Sequence, residues 1–544
     1  MILIARLPLK SGIAGLALIA LSALPAYSQL TYPGCANVVQ ADFSSVVLTS
    51  NATDNTIQEP MKMALLLNGA GDVDVYFTQR AGRVRKYDGT TGVTSTLANL
   101  ALPITAGFSE GLNGIALDPN FRTNNWIYIY HSIGTTWAVT RYTLAGTTLN
   151  LASAKIIWRH TANSVAQHSA GVIRFDKNGD FFITVADGDG GTNPTSFSTT
   201  NPYLAANTNS PYGKILRVRL INFPDTQTPV PGVGTTYTIP AGNLFVQGTA
   251  LTLPEIYVMG TRNPYTIDFD AGRNAMVWGD VGPDNFAGGS TNPAEWTEEH
   301  NFTTTAGNFG WPFWAGPQTQ VRTGGGTTAA PVNNDATNTG LTTLPPARAP
   351  LHPFARACAI TGPVYYYDGA LASTIKFPPH FNGNWIVGDF NNEWVDVLGL
   401  NAGGTAITAT QRIITTGNAT TLNALMELQI GPDGALYVMN YSGYRSFDTR
   451  SGILRIEYNG TCRPSTSTRN VERSQPVAEF DGVQLMVNRS GFHSFEVRDL
   501  SGRLEMSRNG EGISRYNLGE IRTSGMHLLT VKTPDGVLNR KFVR

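Results

Sequence analysis

The sequence lacks a net charge. Its 544 residues contain 39 lysines and arginines against 39 aspartates and glutamates. Nucleic-acid binders that rely on a global basic field carry an excess of positive charge, so the balance argues against that class. Charged residues of both signs are also few, at 14% of the chain against about 25% in an average soluble protein. This composition argues against a charge-rich disordered chain.

Long hydrophobic runs and heptad repeats are also missing, with one exception near the start. The apolar run Ile13 to Leu24 follows basic residues and precedes small ones, which is the pattern of a secretory signal peptide. It is shorter than the roughly 20 residues that a membrane-spanning helix needs. We therefore predict a signal peptide over residues 1–28, cleaved before Gln29. The mature chain is predicted to have no transmembrane segment and to be secreted or attached to the cell surface.

Cysteine is scarce, with three in the chain: Cys35, Cys358 and Cys462. Export permits disulfides, and three pairings are available. A Cys35–Cys462 bridge would tie the start of the mature chain to the end of its large central region. We favour this pairing over the alternatives, which include three unpaired thiols.

Turn-forming residues are abundant, with 57 glycines and 31 prolines. Short apolar or aromatic segments alternate with turns of Asp, Asn, Gly or Pro, which is typical of β-strands. Six such units, spread over about 430 residues, predict an all-β protein with a six-bladed β-propeller at 29–460. A two-sheet sandwich is the alternative, although it rarely uses so much chain. The units lie at 71–89, 117–132, 175–188, 269–282, 381–400 and 431–458.

A polar linker at 461–475 leads to a second module, predicted as a small β-sandwich at 476–544. Its segments FEVRDLSGRLEMSR (495–508), NLGEIRTSGMHLLTVKTPDG (517–536) and the final RKFVR resemble the C-terminal sorting domain of the type IX secretion system. The resemblance implies that this export machinery is a partner, and that the chain crosses the periplasm and outer membrane. A generic immunoglobulin-like module that binds sugar or protein is the alternative.

The main body resembles the soluble PQQ-dependent glucose/sorbosone dehydrogenase family, also called aldose sugar dehydrogenases. Several motifs occur in the family's order over roughly 350 residues. They are EGLNGIALDPNF (110–121), HSAGVIRFDKNGDFFITVADGDGG (168–191), EIYVMGTRNPYTIDFD (255–270), GDVGPDN (279–285), EEHN (298–301) and GNFGWP (307–312), followed by the closing strands from IGPDG onward.

The resemblance implies oxidation of the anomeric hydroxyl of an aldose or oligosaccharide, with PQQ as hydride acceptor and an external electron acceptor. His168 matches the family's catalytic base, and Asp187 matches the carboxylate that orients it. Arg262 matches the residue that polarises the quinone oxygen, and Asn263 matches its cofactor-contacting neighbour. Each residue also has a structural alternative, for example Asp187 as a turn former.

Calcium is the second cofactor that the resemblance implies. Gly282 and Pro283 match carbonyl donors beside PQQ, and Glu299 matches a carboxylate that can hold a further calcium, together with the Phe309 carbonyl. Such hard oxygen ligands suit calcium. The segment from Asp176 to Asp180 imitates the start of a calcium loop, but we interpret it as a tight turn.

The chain departs from the family where several cations hold the three carboxylates of PQQ. Ala424 and Met426 stand at two arginine positions, Asn391 at a lysine position and Ser109 at a glutamine position. Loop arginines are candidate replacements: Arg348, Arg356, Arg445 and Arg450. The loss favours an alternative function, a cofactor-free propeller that binds glycans or a protein. A hydrolase or lactonase is the third interpretation, without support from a zinc-type histidine cluster.

Overall fold

The computed structural model divides the chain into two compact units, residues 1–463 and 464–544. It describes residues 30–32, 35, 38–100, 102, 110–162, 168–188, 202–283, 297–355, 358–414, 422–441, 449–462, 478–480, 483–487, 492–499, 501–512, 514–521, 523–533 and 536–543. The predicted signal peptide and most of the predicted linker lie outside these residues. We call the first unit the body and the second the tail.

The two ends of the body meet in one sheet. The first strand, β1 (Phe43–Ser50), pairs antiparallel with the last strand of the body, so that Phe43 lies opposite Tyr458. Beside this pairing, Cys35 and Cys462 form a disulfide with their Cα atoms 5.0 Å apart. The structure confirms the favoured pairing, and Cys358 lies outside this bond.

Most of the described body consists of antiparallel sheets that follow one another along the chain. The first contains β2 (Pro60–Leu67), β3 (Val73–Gln79), β4 (Arg83–Tyr87) and β5 (Thr94–Asn99); the second contains β6 (Gly111–Leu117), β7 (Trp126–Ile133), β8 (Thr136–Ala145) and β9 (Thr148–Thr161). The third contains β10 (Ile173–Phe175), β11 (Phe181–Val185), β12 (Lys214–Leu220), β13 (Tyr237–Thr238), β14 (Ile256–Met259) and, parallel to β14, β18 (Gly307–Asn308).

Three more sheets complete the series. The fourth contains β15 (Pro264–Asp270), β16 (Ala275–Asp280), β17 (Thr297–Thr303) and β21 (His352–Ala355), and a small pair is formed by β19 (Trp314–Ala315) and β20 (Thr319–Gln320). The fifth contains β22 (Ala359–Tyr365), β23 (Asn384–Asp389), β24 (Trp394–Leu400) and β25 (Ile407–Ile414); the sixth contains β26 (Leu425–Ile430), β27 (Leu436–Asn440), β28 (Gly452–Tyr458) and β1.

Neighbouring sheets contact each other mainly through the first strand of each, except between the third and fourth sheets. Strand β6 contacts β2 and β10, and β22 contacts β15 and β26. The third and fourth sheets contact each other through β11 and β15. Strand β26 of the sixth sheet contacts β2 of the first. Aromatic side chains fill the spaces between sheets; Trp278 and Phe309, for example, pack edge to face at 4.6 Å. Burying one large apolar side chain contributes about 1.5–3 kcal/mol.

The all-β prediction is confirmed, because helices are minor. The described helices are α1 (Phe121–Asn124) and short 3-10 turns at Gln40–Asp42, Pro202–Ala206, Pro379–Phe381 and Leu518–Glu520. No described helix is both long and apolar enough to span a membrane.

The tail has its own hydrophobic core. One sheet contains β29 (Ala478–Phe480), β30 (Gln484–Val487) and β33 (Ser514–Asn517). A second contains β31 (Phe492–Asp499), β32 (Leu504–Glu511), β34 (Met526–Thr533) and β35 (Gly536–Val543). Phe495, Leu485 and Leu529 belong to a single buried cluster that draws on both sheets.

Candidate active site

Antiparallel pairing brings the predicted site residues to one edge of the body. His168 precedes β10, Asp187 follows β11, and Arg262 precedes β15. The start of one strand and the end of its antiparallel partner lie at the same edge of a sheet. We call this edge, where β10 and β15 begin, the upper edge. The backbone N–H of Asp187 donates to the Arg262 carbonyl at 2.8 Å, which joins the third and fourth sheets there.

His168 and Asp187 form a direct pair. His168 Nδ1 lies 3.1 Å from Asp187 Oδ1. The imidazole is 15% exposed, whereas the carboxylate is 1% exposed. A carboxylate accepts, so Nδ1 carries the proton and a neutral ring keeps its lone pair on Nε2. This geometry presents a base whose orientation is fixed by a buried carboxylate.

Trp311 holds the other oxygen of the same carboxylate. Its indole Nε1–H donates to Asp187 Oδ2 at 3.0 Å. The indole ring also lies 6.0 Å from the Arg262 guanidinium carbon. Trp311 is therefore next to both the histidine–aspartate pair and the arginine.

Arg262 is buried, with 4% of its surface exposed. Its guanidinium donates to the carbonyls of Val281 and Gly282 at 3.0 and 2.5 Å. Its backbone N–H, and that of Asn263, donate to the Asp280 carboxylate at 3.0 and 2.7 Å. These bonds fix the Arg-Asn segment at the upper edge.

Asp280 and Glu299 lie opposite each other on β16 and β17. Burial raises the pKa of Asp280, and backbone donors and Arg262 offset part of this rise. Burial also raises the pKa of Glu299, and the negative charge of Asp280 raises it further. Such a carboxylate pair favours a cation or shared protons between the two side chains.

The chain approaches itself closely at Gly282. A Cβ at this position would lie 1.9 Å from the Thr297 carbonyl oxygen, so no side chain fits. The Gly282 N–H donates to Glu298 at 3.1 Å, while its carbonyl accepts from Arg262. Calcium at the predicted Gly282 and Pro283 carbonyls would therefore lie next to the positive charge of Arg262.

Three buried oxygens around the site have no hydrogen-bond partner within the described residues. They belong to Thr261, Asn263 and Asn301. Asn301 also donates to Glu299 at 3.1 Å. Beside these residues lies a cavity of about 10 Å³, about the room that one water molecule needs, lined in part by Asp280, Glu299 and Arg262.

The two amide oxygens are acceptors and the Thr261 hydroxyl can also accept, so all three fit a cation or a ligand that donates hydrogen bonds. The donor set around Glu299 thus suits calcium better than the Gly282 carbonyl does. In the described part of the chain, however, no group of three His, Cys, Asp or Glu side chains is arranged for a metal.

The loop arginines that the structure describes do not restore the missing cations, although the buried Lys62 donates to the Met426 carbonyl at 3.1 Å. Met426 is buried in an apolar cluster, and the side chain of Asn391 contacts Cys358 Sγ at 3.2 Å. Arg348 was a candidate replacement, but its guanidinium binds Thr305 and Ala306, beyond the opposite end of β17. Arg356, Arg445 and Ser109 lie outside the described residues. The Arg450 guanidinium donates to the Leu422 carbonyl at 3.0 Å.

Two other sequence features have a structural explanation. The Asp176–Asp180 segment is a tight turn, in which Asp176 accepts from the backbone of Asn178 and Asp180. The segment GFSEG at 107–111 has the Gly-x-Ser-x-Gly spacing of hydrolases. Gly111 begins a strand, whereas a nucleophile elbow needs a helix after the serine.

Sequence reasoning missed Trp311, Asp280 and Glu298. Trp311 and Asp280 stand in segments that were matched to the family, GNFGWP and GDVGPDN, but only the pairing of strands shows which neighbours they contact. The sequence does carry a signal for Asp280, which is an acidic residue at the end of an apolar strand. Burying such a residue costs free energy, so its presence there indicates a specific role.

Comparison with known proteins assigns the chain to a family. The Glucose / Sorbosone dehydrogenase family model matches residues 57–445, and the chain belongs to this family. The HIPL1 protein of Arabidopsis thaliana is 33% identical over 152 residues, which are 28% of this chain and 19% of that protein. The chain thus matches about a fifth of that relative's length.

Solved structures show the same fold at low identity. The soluble aldose sugar dehydrogenase of Escherichia coli in its apo form is 19% identical, with a TM-score of 0.53 over 76% of this chain and 99% of that one. The PQQ-bound aldose sugar dehydrogenase of Streptomyces coelicolor is also 19% identical, with a TM-score of 0.50 over 76% and 98%.

Proposed function

We propose that this protein is an exported sugar dehydrogenase that oxidises the anomeric hydroxyl of an aldose or oligosaccharide with PQQ and calcium. The observation that carries the proposal is the His168–Asp187 pair beside the buried Arg262 at the upper edge. In this proposal the six sheets act as the blades of one propeller. The tail serves as a type IX sorting domain that directs the chain to the secretion machinery.

His168 takes the hydroxyl proton in the proposed reaction. Asp187 keeps the Nδ1 proton in place, so Nε2 is the nitrogen that accepts the proton from the sugar. The resulting imidazolium is stabilised by the same carboxylate, at 3.1 Å. The sugar loses this proton and a hydride from the anomeric carbon, and it becomes a lactone.

PQQ, when bound, would accept the hydride. Arg262 would stabilise negative charge at the reacting end. The Asn263 side-chain oxygen, which has no partner among the described residues, would accept a hydrogen bond. Glu299 and Asp280, with the Asn301 oxygen, would hold calcium, whose charge offsets part of that of the cofactor. These residues fit the reactive end of PQQ and a cation. The residues at the family's lysine and arginine positions do not fit the carboxylates of PQQ, because they carry no positive charge.

Calorimetric titration of the mature chain with PQQ, with and without calcium, tests the cofactor. Calcium-dependent binding at micromolar or lower Kd supports the proposal, and a dye-linked screen of aldoses would then identify the substrate. No binding in either condition would refute it.

His168→Ala tests the assignment of the base. We expect turnover to fall at least 100-fold, because general base catalysis contributes typically 10²–10⁴-fold, while the melting temperature and PQQ affinity stay close to wild type. His131→Ala is a matched control, since His131 lies on β7 and contacts Thr140. Equal loss of activity in both variants would show a general structural effect.

A cofactor-free binding module is the second candidate. The observation that favours it is the replacement of the cationic positions by the apolar Met426 and by Asn391. It predicts no PQQ affinity but retention of glycan or protein binding. A glycan array probed with the mature chain, together with the PQQ titration, separates the two functions.

A further inference from the structure

One cavity among the described residues lies away from the candidate active site. It has a volume of about 440 Å³ and opens near the turns that follow β10 and β15. These turns are at the other ends of strands that begin at the upper edge. Seven residues of β15 span about 20 Å at roughly 3.3 Å each, so a ligand in this cavity would be remote from His168. We call it the lower cavity.

The lower cavity has one apolar side. Phe269, Met276, Pro363 and Val364 line it. Phe269 packs on Phe182 with ring centroids 5.0 Å apart, and Phe182 packs on Tyr257 at 5.6 Å. The wall is therefore held by aromatic packing and is suited to the apolar face of a small ligand.

Among the polar side chains of the lining, those of Asp268 and Tyr257 retain hydrogen-bonding capacity. Asp268 accepts from the Phe269 N–H at 2.8 Å, and this is its one hydrogen bond within the described residues. The Tyr257 hydroxyl makes none in that part of the chain, although it is mostly buried. Burial also raises the pKa of Asp268 to about 6. Unused acceptors and donors beside a cavity are expected where a ligand supplies the partners.

The cationic side chains around the cavity are already paired. Arg217 binds Asp180 at 2.5 Å, and Arg273 binds Asp270 at 2.7 Å. Lys177 donates to the Ala271 carbonyl at 2.7 Å. An anion would find no unpaired guanidinium among these groups. Arg217 lies over one face of the Tyr257 ring, 5.3 Å from its centre, and Arg174 interacts electrostatically with Asp268. Both guanidinium groups disfavour a cationic ligand.

We propose that the lower cavity binds one or two neutral sugar residues. Sugar hydroxyls would donate to Asp268 and exchange hydrogen bonds with Tyr257, and the C–H face of the ring would lie on the apolar side. The volume is in the lower part of the range of about 300–1,000 Å³ for small-ligand pockets. This inference rests on the cavity alone and holds whether or not the upper edge is catalytic.

Methyl glycosides test the proposal, because they have no free anomeric hydroxyl to oxidise. The mature chain would be titrated with methyl β-glucoside, methyl β-galactoside and methyl β-xyloside by saturation-transfer NMR and calorimetry. We expect at least one to bind. Asp268→Asn and Tyr257→Phe should each weaken its binding at least tenfold.

A blocking variant and two controls complete the design. Ala271→Trp adds bulk at the exposed rim without removing a hydrogen-bonding side chain and should abolish binding. Tyr142→Phe, a buried tyrosine of β8 outside the cavity, and His168→Ala should bind as wild type does. The proposal is overturned by absence of binding to all three glycosides, by unchanged affinity in Asp268→Asn, Tyr257→Phe and Ala271→Trp, or by loss in His168→Ala. Displacement of the glycoside by choline would show a cation site instead.

Discussion

A single buried carboxylate organises the candidate active site. Asp187 uses one oxygen for His168 and the other for Trp311, and its backbone N–H reaches the Arg262 carbonyl. Each of these three contacts joins a different segment of the chain. The orientation of the imidazole therefore depends on Trp311 through the carboxylate that the two residues share.

Trp311→Phe should destabilise the body more than Trp278→Phe does. The first substitution removes a donor from a buried carboxylate, which costs about 1–3 kcal/mol. Trp278 is fully buried too, but its indole N–H has no partner among the described residues, so its replacement costs packing alone. We expect a difference of about 1–2 kcal/mol in the free energy of unfolding, measured by urea denaturation. Equal losses would contradict a special role for the Trp311 hydrogen bond.

At the scale of elements, the local strand pattern was predictable. Phe175 and Phe181 flank a turn of Asp, Asn and Gly, and the structure forms the hairpin β10–β11 there. The same pattern predicts that His168 and Asp187 lie at the end of this hairpin opposite its turn. The local sequence does not predict that Trp311 contacts Asp187 or that Arg348 lies away from the site. Both positions depend on how separate sheets pack.

The pairing of β16 with β17 gives stability a pH dependence. Burial raises the pKa of Asp280 and of Glu299, so the folded state holds protons that the unfolded state releases. The free energy of unfolding should therefore fall as the pH rises above the ordinary carboxyl range near 4. Glu299→Gln should flatten this fall, whereas Asp72→Asn, at an exposed loop, should not.

Chemical denaturation from pH 5 to pH 8 measures this effect. Calcium should oppose the loss at high pH if it binds the deprotonated pair. A slope that is the same in wild type and Glu299→Gln would show that Glu299 does not titrate in this range.

At the scale of the whole molecule, the disulfide and β1 hold both ends of the body in one sheet. Removing a disulfide typically costs about 2–4 kcal/mol. Cys35→Ser should therefore lower the free energy of unfolding by about this amount, and a reducing agent should lower that of wild type equally. Cys358→Ser should retain the sensitivity to reduction. A reducing agent that further destabilises Cys35→Ser would point to a different bond.

The tail should unfold separately from the body, because each unit has its own core. We expect residues 29–463 to be soluble alone and to melt at the same temperature as in the mature chain. Calorimetry of the mature chain should resolve a second transition for the tail. A body that aggregates without residues 464–544 would place the boundary elsewhere.

The pairing of β1 with β28 also fixes the order in which the molecule can be completed. Cys35 and Cys462 are 427 positions apart in the chain, and contacts at such separation form slowly. During synthesis from the amino end, β1 cannot pair with β28 until nearly the whole body has emerged from the ribosome. Resistance of the nascent chain to proteases should therefore arise late, when the sixth sheet forms and the two ends of the body are joined.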